Sequence, residues 1–228
     1  MKSILVLCLL MTSLHIFAQF GIRAGYGSTS YKDWEGFAYR RIDVNKASFL
    51  NSGINVGLDY WFRLKKRRIE FMPELGYTQF ASSSVDGYKY SLSSFNAYFN
   101  VHVYVLDLAE DCNCPTFSKQ GNTIKKGFFL HAAPLFRYYV QKAEGSQSIS
   151  GNATGIGFRA GAGIDIGLSD FFTLTPMVAY EATGKSNWKD LATLDTNPAN
   201  PDIKSSGSGL YGLMRLGFRL NSNNRRRR

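Results

Sequence analysis

From Gln19 onward the chain alternates apolar and polar residues with a period of two, and one of the two faces stays apolar through about eight segments. The segments cover residues 19–27, 53–62, 69–80, about 90–106, 127–141, 155–168, 172–180 and 209–220. In the third, Ile69, Phe71, Pro73, Leu75 and Tyr77 share one face, and Glu70, Met72, Glu74, Gly76 and Thr78 the other. In the sixth, Ile156, Phe158, Ala160, Ala162, Ile164 and Ile166 oppose Gly157, Arg159, Gly161, Gly163, Asp165 and Gly167. No segment shows a convincing helical period. The pattern predicts an all-β protein, but a soluble sandwich alternates too, so alternation alone does not choose the architecture.

Two further features choose it. The N-terminal "MKSILVLCLLMTSLHIFAQ" has one basic residue, an apolar run from Ile4 and a small residue at Ala18. It reads as a secretory signal, residues 1–18, cleaved near Ala18–Gln19. Cys8 sits too early in the apolar run for a lipidation site, and Leu5-Val6-Leu7 before it lacks the small residue such a site needs. No later run is long enough for a transmembrane helix. The connections are mostly longer and polar at 28–50, 81–89, 142–154 and 182–208, and tight at "RLKKRR" and "SD"; "DLAEDCNCPTFSKQGNTIKK" is the exception. Outer-membrane barrels have this habit, with short turns in the periplasm and long loops outside. The expectation is an eight-stranded antiparallel up-and-down transmembrane β-barrel over residues 19–221, followed by a basic tail, 222–228. It would be a monomer in the outer membrane, in contact with its lipid.

The other face supplies a predicted lumen network: Arg23, Asp59, Glu70, Glu74, His102, His131, Arg137, Arg159, Asp165, Glu181, Arg215 and Arg219. A lipocalin-like carrier needs the reverse, an apolar lumen and a polar exterior. Eight strands enclose just enough room for side chains, so opposite charges predict a salt-bridged filling rather than an open pore. His102 and His131 are expected to face one another across the fourth and fifth strands, in a lumen hydrogen bond rather than a metal or proton site. The inward glycines of the sixth strand leave room for Tyr98, Tyr104 and Tyr139.

A Pro-x-x-x-Tyr pattern recurs at Pro73/Tyr77, Pro134/Tyr138 and Pro176/Tyr180. Chance recurrence in a chain with 13 Tyr competes with an interfacial girdle of Tyr77, Tyr138 and Tyr180, whose rings suit the headgroup layer. Each proline deletes a ladder donor, which predicts a bulge or an inward-bent carbonyl at each site.

The signal ending in Ala-Gln, the opening "FGIRAGYG", the glycine-rich "GFRAGAGIDIGL" and the closing "RLGFRL" resemble the small outer-membrane β-barrel domains of Bacteroidota, the PorT-like family. The resemblance implies an integral outer-membrane protein, in a family mostly without an assigned activity. The name-giving member is tied to the type IX secretion and gliding apparatus, so envelope or secretion-machinery proteins are implied as partners. The chain departs from the usual aromatic barrel terminus, since "NSNNRRRR" follows Leu220.

Cys112 and Cys114 in "DCNCP" can form a strained disulfide in an oxidising compartment; a redox or soft-metal role and free thiols stay open. Two thiolates alone cannot close a zinc site. No cofactor, no catalytic group and no enzyme are expected, because no acid, base and nucleophile assemble at the outer rim. The basic clusters "KKRR" (65–68), "KK" (125–126) and "RRRR" (225–228) fall on the periplasmic side. They suit anionic headgroups or an acidic partner, or stand as solvated charge. Despite a net charge of +10, nucleic acid is excluded by compartment. Trp34 and Trp188, in long loops, are expected on outer binding surfaces. The function read from these residues is structural or interaction-based, with a secretion accessory or a narrow small-solute channel as alternatives.

Overall fold

The computed structural model describes residues 19–40, 49–64, 67–106, 127–169, 171–194 and 203–219. Eight long strands follow in order: β1 (Gln19–Ser30), β2 (Ser52–Tyr60), β3 (Ile69–Phe80), β4 (Tyr88–Val103), β5 (Phe128–Glu144), β6 (Ser148–Ile164), β7 (Phe172–Trp188) and β8 (Ile203–Arg219). Each pairs antiparallel with the next. β1 then pairs β8 from Gln19↔Arg219 to Ser30↔Ser208, which closes the ring. The fold is a closed eight-stranded antiparallel meander, in which every strand finds two neighbours and no edge is left over. Short pieces at Phe62–Arg63, Ser83–Val85 and Ile166–Gly167 prolong or flank the ladders. Among the described residues one α-helix, α1 (Lys32–Arg40), follows β1, and a single 3-10 turn, Leu191–Leu194, follows β7.

The strands are unequal. β1, β2 and β3 have 12, 9 and 12 residues, whereas β4 has 16 and β5 to β8 have 17 each. Crossing a bilayer takes about 9–11 tilted residues, so β4 to β8 project beyond it. The expected loop at 142–154 is therefore a hairpin: only Gly145–Gln147 separate β5 from β6. Residues 182–188 and 203–208 are strand as well.

Polarity reverses along these long strands. At mid-barrel β4 points Phe95 and Phe99 outward and Asn96, Tyr98, Asn100 and His102 inward. Toward its other end, Tyr88, Tyr90 and Leu92 point inward and Ser91 and Ser93 outward. On β7, Val178 and Tyr180 face out beside inward Glu181; further along, Lys185 faces out and Trp188 is buried. β8 does the same, with Lys204 and Ser206 outside at one end and Leu210 and Met214 outside further along. An exterior that is apolar in one band and polar above it, on continuous strands, matches a change of solvent from lipid to water. The band is well exposed: Leu75 and Ile156 each show 73% of their surface. Aromatic rings mark its end nearest the described termini, where Phe20 stacks on Phe218 at 5.2 Å, Phe172 meets Phe218 at 5.5 Å and Phe62 stacks on Phe71 at 5.3 Å.

The three prolines produce no bulge. Each is in unbroken register with the strand that follows it around the ring: Pro73↔Phe99, Pro134↔Phe158 and Pro176↔Met214. Toward the preceding strand the ladder skips two residues and resumes in the same register. It stops at Asp59↔Glu74 and resumes at Phe62↔Phe71; it stops at Tyr98↔Leu135 and resumes at Val101↔Ala132; it stops at Met177↔Gly163 and resumes at Leu174↔Ile166. The missing N–H thus costs a gap in pairing on one side only, which corrects the expectation of a bulge. Beside Pro73, the Met72 carbonyl accepts a hydrogen bond from Asn100 Nδ2 inside the barrel at 2.8 Å. Among the described residues the one register shift lies elsewhere, between Thr183 and Ser186 of β7.

Candidate functional site

Inward positions on all eight strands converge on a buried polar network. Arg23, Asp59, Glu70, Glu74, His102, His131, Arg137, Arg159, Asp165, Glu181 and Arg215 are all buried. For Arg219 only the backbone, paired to Gln19, is described. Cys112, Cys114 and the tail arginines 225–228 lie outside the described residues, as do 65–66 and 125–126.

Three of the four ion pairs described join alternate strands across the one between, and the fourth, Arg159–Glu181, joins the neighbours β6 and β7. Arg215 of β8 grips Asp59 of β2 with two hydrogen bonds, Nε to Oδ2 at 2.7 Å and Nη2 to Oδ1 at 2.5 Å. Its guanidinium passes over Gly21 of β1, where a Cβ would lie 2.5 Å from Nη2. Arg23 of β1 reaches Glu74 of β3 at 2.6 Å, and the Glu74 carboxylate occupies the space a Cβ on Gly57 of β2 would need. These glycines are required for close approach rather than for backbone freedom. Asn100 completes this set, donating to Glu74 Oε2 at 2.8 Å and accepting from Arg23 Nη1 at 3.1 Å.

Glu181 is shared by two cations. Arg137 Nη2 lies 2.7 Å from Oε1, and Arg159 Nη2 lies 2.8 Å from Oε2. The Tyr98 hydroxyl accepts from Arg159 at 2.7 Å and from Arg137 at 3.2 Å, and donates to Glu181 at 3.2 Å. Arg137 Nε also donates to Asn96 Oδ1 at 2.6 Å. Nearer the described termini, Glu70 Oε2 accepts from Trp61 Nε1 at 2.6 Å and from the Tyr104 hydroxyl at 2.8 Å. That hydroxyl also contacts Asp165, which accepts a hydrogen bond from Thr175. Four arginines thus meet five carboxylates in the described interior, so the charges nearly cancel. Buried charges need this degree of pairing to be tolerated.

His102 and His131 are directly opposite across β4 and β5, with ring centroids 5.2 Å apart. His102 stacks on Phe129 at 3.8 Å. Neither ring nitrogen of His131 has a hydrogen-bond partner among the described residues, which corrects the expected lumen hydrogen bond there. No group of three metal-ligating side chains occurs among the described residues. Of the tyrosines expected over the inward glycines of β6, Tyr139 lies against Gly155, while Phe129 takes the place beside Gly163.

The outer mouth is different. Trp34 and Trp188 are fully buried, not displayed on loops. α1 turns Trp34, Phe37 and Ala38 into the barrel mouth, where Trp34 stacks on Tyr31 at 4.9 Å and meets Trp188 edge-on at 5.3 Å and Tyr139 at 6.2 Å. Trp34 Nε1 donates to the Ile203 carbonyl at 2.9 Å. Phe49, Leu50, Phe80, Tyr90, Leu92 and Leu191 complete an apolar plug. The i, i+3, i+4 spacing of Trp34, Phe37 and Ala38, with Asp33 and Glu35 in the first turn, is the sequence signal that finds this helix. The inward Asn55, Thr78, Asn96 and Asn100, absent from the predicted network, follow from strand parity alone.

Of the predicted girdle, Tyr138 and Tyr180 are exposed on the outer face, and Tyr77 is partly exposed there, 5.3 Å from Phe95.

No protein-family model matches the chain, and none of the curated proteins matches it in sequence. Solved structures with a similar chain path include Neisserial surface protein A, with a TM-score of 0.45 and 12% identity over 87% of this chain and 96% of that one. The attachment invasion locus protein Ail of Yersinia pestis has a TM-score of 0.42 and 12% identity over 87% of this chain and 99% of its own. The outer membrane protein OprG of Pseudomonas aeruginosa has a TM-score of 0.41 and 14% identity over 90% and 97%. These likenesses are distant, and the assignment of a closed eight-stranded barrel stands on this chain's own strand pairing.

Proposed function

We propose that this chain is an integral outer-membrane barrel with a sealed lumen, acting as a non-enzymatic structural or interaction protein through the collar that β4 to β8 raise above the membrane. The observation that carries the reading is the reversal of polarity along single strands, with an apolar exterior below and a polar one above. No helix among the described residues is long and apolar enough to cross a membrane; a closed barrel crosses with strands. The collar, with α1 and the long connections, belongs outside. The short connections 61–68 and 165–171 share the other end with the described termini, and this end belongs in the periplasm. There Arg67 and Arg68 contribute to a basic rim suited to anionic headgroups or an envelope partner.

The sealed lumen separates this reading from a solute channel. Salt bridges span mid-barrel, and the aromatic plug closes the mouth above them. Refolded protein in planar bilayers is expected to show no steady conductance while migrating faster unheated than heated on a gel. Steady ion-selective steps from such folded protein would overturn the sealed lumen, and solubility of residues 19–228 in detergent-free buffer would overturn the membrane assignment.

A further inference from the structure

The seam between β6 and β7 is not closed to its top. Its ladder runs up to Thr183↔Gly157, and the register shift of β7 follows at once, between Thr183 and Ser186. Beyond Gly157, β6 continues to Ser148 in register with β5. The two sides are held there by side chains instead. Ser186 Oγ of β7 donates to the Thr154 carbonyl of β6 at 3.4 Å, and from β5 behind the seam Gln141 Nε2 donates to the Asn187 carbonyl of β7 at 3.1 Å.

The separation opens an outward-facing groove of about 540 Å³, lined by Lys185, Lys189 and Lys204 with Asn152, Thr154 and Tyr138. Among the described residues no carboxylate lines it. None of the three lysines has an ion pair among the described residues. The groove also has a definite height. The outward residues just below it are Phe136, Ile156, Phe158 and Tyr180, all in the exposed apolar band. Its floor therefore stands where the hydrocarbon ends and the headgroups begin.

We propose that this groove binds the phosphate-bearing headgroup of a lipid in the surrounding outer leaflet. Three cations of one sign supply the attraction. The Asn152, Thr154 and Tyr138 side chains supply neutral donors, and the apolar band directly below accepts the acyl chains of the same molecule. A free anion would gain the lysines but not the band. The inference rests on the reading that the barrel spans the membrane with its collar outward.

The test uses the full mature chain refolded in phosphatidylcholine bicelles, titrated with a bisphosphorylated diglucosamine lipid and read by native mass spectrometry. Parallel arms use the dephosphorylated lipid and inorganic phosphate. The triple variant K185Q/K189Q/K204Q is compared with K32Q/K89Q/K142Q, which removes the same charge from exposed collar lysines outside the groove. The groove variant is expected to bind the phosphorylated lipid about a hundredfold more weakly, from three lysines each attracting an anionic surface. The control variant should bind within about threefold of the parent chain, and the dephosphorylated lipid and inorganic phosphate should bind weakly to all. Equal binding by the groove variant and the parent overturns the proposal. So does equal loss in the control, or saturation by inorganic phosphate at the same concentration as the lipid. Heat-modifiable gel migration of each sample keeps the outcomes separate: a chain that inserts and shows no preference for phosphate refutes the groove alone, and one that never inserts refutes the membrane reading beneath it.

Discussion

The barrel holds two interiors on the same strands. At membrane depth Arg23, Glu74, Arg137, Arg159 and Glu181 fill the lumen, while the exterior is Leu, Ile, Val and Phe. In the collar, Trp34, Trp188, Tyr90 and Leu92 fill the inside, while the exterior carries Lys142, Lys185 and Lys204. The collar is ordinary soluble-protein chemistry, with apolar side chains withdrawn from water. The lower barrel has no such drive, because lipid solvates the apolar face as well as a core would. What remains is the cost of leaving polar groups unpaired, and the network removes it by pairing charges across the lumen. The strict period of two then fixes which face goes in, since a one-residue slip would put every arginine into lipid.

The largest effect is expected where one side chain serves two charges. In Glu181→Ala, Arg137 and Arg159 lose their shared carboxylate while still buried. A loss of about 3–5 kcal/mol is expected in urea unfolding from lipid vesicles, the usual cost of an orphaned buried charge. The triple change R137M/R159M/E181L should recover most of that loss, because removing the whole cluster leaves no unpaired charge. Failure of the triple variant to recover would mean that the network also fixes the geometry of the barrel.

Next comes the boundary between the two regions. Leu75 lies mid-strand in the exposed band of β3, and Ser206 points outward on β8 within the collar. Leu75→Arg is expected to cost about 2–4 kcal/mol of folding stability in vesicles and Ser206→Arg under about 1 kcal/mol, following the depth dependence of a charge on the lipid face. Equal costs would erase the boundary.

Much of the lower barrel was legible in the sequence because lipid outside and charge inside make the alternation unambiguous. Arg159 between Phe158 and Ala160, or Glu181 beside Tyr180, can be assigned a face from parity alone. The collar is less legible for the converse reason. Once water replaces lipid, outward residues such as Ser150, Asn152 and Lys185 turn polar, and a strand there looks like a loop. Trp34 and Trp188 accordingly read as surface residues in the sequence, although α1 and the tall strands bury both. The proline sites were legible as a repeat but not in their consequence. Which neighbour each proline faces depends on ladder phase, and that is set by closure of the ring.

The smallest predicted effect separates the two interiors as cooperative units. Trp34→Phe keeps an aromatic ring against Tyr31 but removes the Nε1 hydrogen bond to the Ile203 carbonyl and part of the packing against Trp188. One lost hydrogen bond and a partial cavity together come to about 1–2 kcal/mol. If the plug opens independently, that loss appears as roughly tenfold faster amide exchange in α1 and at the collar end of β8. Amides of β1 to β3 at membrane depth should keep their protection, and the unfolding midpoint should not move. A matching loss of protection at Arg23 and Asp59 would instead bind plug and lumen into one unit. The reversal of polarity would then mark a change of solvent along a single cooperative structure, not a division into two.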